Sequence, residues 1–97
     1  MRTIWKFPLE VEDAQIISVP FGTQLLSLQA QYGTVPCIWG LVPNDTAEKE
    51  KISILTVGTG HPIDTKYDRY TFLGTYQLLE GGLVFHVFYQ YNYPFEK

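Results

Sequence analysis

The sequence predicts an all-β or β-dominated α+β domain, a compact antiparallel sandwich or barrel built by residues 1–97 as one unit. Three observations carry that expectation. Val 7, Ile 7 and Thr 9 supply 23 β-branched residues and Trp 2, Tyr 7 and Phe 6 add 15 rings, against only 3 Ala, a mixture that favours pleated strands over helices. Gly 8 and Pro 6 fall mostly between the apolar runs, where they punctuate turns. The 97 residues and 11.2 kDa fit one core, and a chain of this size buries roughly two-thirds of its unfolded surface, enough to stand without disulfides.

Thr3 to Phe7 reads as a short opening strand stopped by Pro8 and placed at a sheet edge. Gln15 to Val19 is the next, with Ile16 and Ile17 on opposite faces, closed by Pro20-Phe21-Gly22. From Thr23 to Tyr32, Leu26, Leu28 and Ala30 alternate with Ser27, Gln29 and Gln31, the pattern of a half-solvated antiparallel strand. Gly33 turns the chain, and Val35 to Val42 returns with Val35, Cys37, Trp39 and Leu41 in phase on the face expected to be buried. Pro43 to Lys51, PNDTAEKEK, is charge-dense without an apolar face and reads as a loop or a single helical turn. Lys51 to Val57 resumes strand chemistry. Tyr70 to Leu79 and Leu83 to Tyr91 form a last hairpin about Glu80-Gly81-Gly82, with Gly81 and Gly82 supplying positive φ and its second arm apolar on both faces and therefore central.

Lys+Arg 7 against Asp+Glu 10 gives a net charge of -3, the wrong sign for general nucleic-acid binding, which draws its affinity from neutralised phosphates. No apolar run approaches the ~20 residues that span a bilayer, and residues 1–10 lack a signal-peptide stretch, so a soluble cytoplasmic protein with no membrane partner is expected. His61, His86 and Cys37 are the only imidazoles and the only thiol, and no pair of them has metal-site spacing. No catalytic residue, metal ligand or cofactor is expected, and Cys37 reads as a buried inert thiol. His86 reads as a hydrogen-bonded histidine of the central strand or as a ligand contact.

Binding chemistry concentrates at Gly58-Thr59-Gly60-His61-Pro62. Glycines on both sides of Thr59 let successive N–H groups point at one anion, to which the Thr59 hydroxyl and His61 add donors; a tight connection with no ligand is the competing reading. Lys66 and Arg69 follow within nine residues of His61, a local positive patch that Asp64 and Asp68 dilute. Trp5, Trp39, Tyr67, Tyr70, Tyr76, Tyr89, Tyr91 and Tyr93 exceed what so small a core requires, and Trp39 or Tyr67 is the ring expected to stack on a base.

Together the strings IWKFPLE, CIWGLV, GTGHPID, FLGTYQL and GGLVFHVF span nearly the whole chain, and with them the sequence resembles a family of small phage-encoded domains of unknown function. The resemblance implies phage origin and expression in the cytoplasm of an infected bacterial host. In size and in lacking a catalytic apparatus the chain is similar to phage sponges. The expectation that follows is a homo-oligomer that sequesters a cyclic nucleotide or an ADP-ribose derivative without cleaving it. Gly58, Thr59, Gly60 and His61 would take the phosphates, Lys66 and Arg69 would offset charge, and Trp39 or Tyr67 would stack. An accessory or inhibitor protein that binds a host or phage protein through an aromatic, acidic surface is the alternative, and a hydrolase comes third.

Overall fold

Residues 1–92 are described in a computed structural model, which places them in seven strands and two short 3-10 turns. The strands are β1 (Arg2–Pro8), β2 (Ala14–Pro20), β3 (Gln24–Gln31), β4 (Val35–Pro43), β5 (Lys49–Gly58), β6 (Thr71–Leu78) and β7 (Leu83–Asn92). They form two antiparallel sheets, β1-β4-β3 and β2-β5-β7-β6, the β-sandwich that the β-branched and aromatic composition demands. Strands β1 and β2 are edges and β7 is interior, as their patterns require. The charge-dense stretch is a loop from Asn44 to Glu48, and β5 begins two residues before the expected start. Tyr93 lies outside the described residues.

The core fills the space between the sheets. Leu25 and Ile38 from one sheet pack with Val19, Ile52, Ile54, Tyr76 and Val87 from the other, and Leu9 closes the cluster from the β1–β2 connection. Two glycines allow close approach. A Cβ on Gly40 would lie 2.8 Å from Phe7 Cε2, and one on Gly74 would lie 3.3 Å from Leu28 Cβ, so Phe7 seats over β4, and β3 runs close against β6. The inner edge is tied by side chains: the Tyr91 hydroxyl donates to the Thr23 carbonyl at 2.6 Å, and the Gly22 N–H donates to the buried Glu50 carboxylate at 2.9 Å.

Two phases differ from the expectation. A bulge between Leu25 and Ser27 turns Leu25 into the core and leaves Leu26 43% exposed, while Leu28 and Ala30 keep their inward phase. On β4 the inward residues are Pro36, Ile38, Gly40 and Val42, so the Val35, Cys37, Trp39, Leu41 row faces outward. Cys37 is nonetheless buried, because Gln31, held by Lys6 Nζ at 2.9 Å, reaches over its thiol. The last hairpin also turns differently: Leu79, Glu80 and Gly81 take positive φ, and Gly82 does not.

Candidate functional site

Strand β5 outruns its neighbour β2, whose pairing ends at Ala14 opposite Leu55; the ladder is prolonged only by the Thr56 N–H donating to Asp13 O at 2.9 Å. Beside the end of β5 the chain turns at Gly58-Thr59-Gly60-His61. The His61 N–H donates back to the Gly58 carbonyl at 3.1 Å, and Gly60 has φ 90, the left-handed third position that defines a type II turn. The chain then runs through Pro62 and Ile63 to a one-turn 3-10 helix at Thr65–Tyr67. Asp64 starts that helix, its carboxylate accepting the Lys66 N–H at 2.9 Å.

A groove of about 300 Å³ opens between this connection and the sheet, lined by Asp13, Leu55, Val57, Gly58, His61, Asp64, Lys66 and Tyr67 among others. Two carboxylates, an ammonium and an imidazole therefore share one concavity. Lys66 Nζ lies 5.3 Å from the centre of the Tyr67 ring, a cation–π distance, and Tyr67 meets Tyr70 edge to face at 5.1 Å. The same two tyrosines wall an adjoining hollow over Ala14, Ile16 and Ser53. The imidazole of His61 rests on Gly58: a Cβ there would lie 3.1 Å from its Nδ1.

Of the residues expected at a site, Gly58, His61, Lys66 and Tyr67 converge on this groove. Gly60 shapes the turn, and Arg69 is exposed outside the groove lining. Trp39 stands on the outer face of the other sheet beside Lys6 and Ser27 and does not line the groove. The cradle of successive backbone donors does not form. Thr59 N–H donates to the Val84 carbonyl at 3.3 Å and His61 N–H closes the turn, so both are spent within the fold. The Thr59 hydroxyl is spent as well, 2.6 Å from His86 Nε2, while His86 Nδ1 lies 2.9 Å from the Thr75 hydroxyl.

The sequence reading missed Asp13. Its signal was the acidic run before β2, but only the ladder shows that this run ends beside the groove. Among the described residues no three His, Cys, Asp or Glu side chains gather as a metal site, and no helix is long and apolar enough to cross a membrane.

No curated protein and no solved structure matches the chain. A family model described as a domain of unknown function (DUF7352) matches residues 1–95. With nearly its whole length covered, the chain belongs to the DUF7352 family.

Proposed function

We propose that the domain acts by binding without turnover, and that it sequesters a nucleotide-derived immune signal, a cyclic nucleotide or an ADP-ribose derivative. The observation that carries this reading is the convergence of His61, Lys66 and Tyr67 with Asp13 and Asp64 on one groove of about 300 Å³. Each side chain has a counterpart in such a molecule. The ammonium and imidazole suit a phosphate, the Tyr67 ring offers a base a face to stack on for roughly 1–3 kcal/mol, and the carboxylates accept hydrogen bonds from ribose hydroxyls. Two carboxylates beside a single ammonium favour a hydroxyl-rich ligand of low charge over a polyphosphate.

His86 has a hydroxyl on each ring nitrogen. Behind the imidazole stands neutral Thr75 rather than a carboxylate, which a base–nucleophile pair uses to stabilise an imidazolium. We read this trio as a clamp on the turn. In this reading a phage supplies the domain to the cytoplasm of an infected bacterium as an anti-defence protein.

The test is retention followed by release. The purified protein is incubated with a panel of cyclic dinucleotides and ADP-ribose derivatives, freed of unbound ligand, heated, and the supernatant resolved by chromatography. An intact nucleotide is expected in the supernatant. A cleaved product would make the protein an enzyme, and no retention of any panel member would sink the proposal.

A second reading, an accessory or inhibitor protein that grips a host or phage protein, draws on two hairpin tips. Tyr32 is 89% exposed and Leu79 74% exposed, with φ 57 and 54, and both line a hollow of about 410 Å³ with Glu80. Side chains held outward on a backbone that costs about 1 kcal/mol or more per residue suit anchors for a protein surface. Tyr32→Ser with Leu79→Ser would abolish such binding and leave nucleotide retention untouched.

A further inference from the structure

The free edge of β2 differs from that of β1. The ladder bonds from Thr56 N–H to Asp13 O and from Phe21 N–H to Glu48 O fix the odd-numbered residues of this segment as those that face β5. Ala14, Ile16 and Ser18 therefore turn their N–H and C=O groups outward. Strand β1 carries Arg2 and Lys6, the charges that discourage edge pairing, whereas β2 reads AQIISVP with no charge, its only Pro at the last position. Ile16 on this edge is 62% exposed.

We propose that β2 pairs antiparallel with β2 of a second copy of this chain, joining two four-stranded sheets into one of eight. A two-fold axis through Ile16 sets Ile16 opposite Ile16 of the second copy and Ala14 opposite its Ser18, so each outward N–H and C=O finds a partner.

Charge favours a second copy as the occupant. Antiparallel self-pairing lays the start of one β2 beside the end of the other. The exposed acidic run Glu10, Glu12, Asp13 that precedes β2 then approaches Lys49 and Lys51, which lie next to Pro20 and Ser18 on β5 of the other copy. The hollow over Ala14, Ile16 and Ser53 borders this seam, so the second copy would wall it on its open side.

Sedimentation equilibrium of the purified chain at tens of micromolar is expected to give twice 11.2 kDa, with the dimer weakening as salt rises. Ile16→Lys should sediment as a folded monomer, and Ile4→Lys on β1 should remain dimeric. Ser18→Pro is the second probe, since it deletes an outward N–H that β5 does not use and an edge strand tolerates it. Circular dichroism melts establish which variants fold. A wild-type monomer at that concentration, or a dimer that persists in a folded Ile16→Lys or Ser18→Pro variant, overturns the proposal.

Discussion

His86 holds Thr59 by its side chain: Nε2 lies 2.6 Å from the threonine Oγ1, while the other ring nitrogen is fixed by Thr75 on β6. A residue of the interior strand β7 thus clamps the turn that shapes the groove, from the strand beside it. A net hydrogen bond contributes about 0.5–1.5 kcal/mol, so His86→Ala is expected to cost about 1–2 kcal/mol in urea unfolding. Thr59→Val should cost about 1 kcal/mol, and a double-mutant cycle should show coupling of at least about 0.5 kcal/mol. Strict additivity would mean that the contact contributes nothing.

Gly58 and His61 yield a sharper test of the groove, because only the glycine lets the imidazole rest where it does. Gly58→Ala sets a methyl 3.1 Å from Nδ1 and should push the ring aside with little cost to the fold, the obstacle being a movable side chain. His61→Ala, at an exposed position, should leave stability within about 0.5 kcal/mol. A nucleotide found by the release assay should bind both variants about tenfold more weakly, as expected for a charge-assisted hydrogen bond of roughly 1.5 kcal/mol. Calorimetry showing unchanged affinity in both would remove His61 from the site.

Leu25 and Leu26 should behave oppositely despite being identical neighbours. Leu25→Ala is expected to cost about 2–4 kcal/mol, the range for a buried leucine, and Leu26→Ala less than about 0.5 kcal/mol, measured by denaturant midpoint. Equal effects would refute the bulge.

The same pair marks what a linear reading could see. Strand positions and the sandwich were legible because β-branched and aromatic runs alternate with Gly and Pro. The phase of β3 was not, since one bulged residue reverses every side chain before it, and LLSLQA offers an alternating solution that is locally as good. On β4 the row Val35, Cys37, Trp39, Leu41 is as free of charge as the inward row Pro36, Ile38, Gly40, Val42, so alternation alone does not choose between the two faces. At the site, the sequence brought out His61, Lys66 and Tyr67, which lie close together along the chain. Asp13 and His86 reach the turn only through the β2–β5 and β5–β7 pairings, which local spacing does not encode.

The Tyr76 ring packs 5.5 Å from Phe85 in the core, and its buried hydroxyl has no hydrogen-bond partner among the described residues. Burial raises its pKa above the ordinary value of 10.0, because the phenolate would lose its water. Below the unfolded-state value both states keep the proton and the fold's preference is intact. As pH rises past about 10 the unfolded chain ionises first, and stability falls until the folded-state value is passed. Tyr76→Phe removes the orphan hydroxyl while keeping the ring. It should therefore leave stability at pH 7 unchanged or raise it by up to about 1 kcal/mol, and it should flatten the alkaline decline. Melting temperatures of the two proteins between pH 8 and pH 11 provide the measurement. A substitution that destabilises at pH 7 by more than about 1 kcal/mol would mean that the hydroxyl finds a partner in solution. An alkaline limb identical to that of the wild type would assign the decline to the exposed tyrosines and lysines instead.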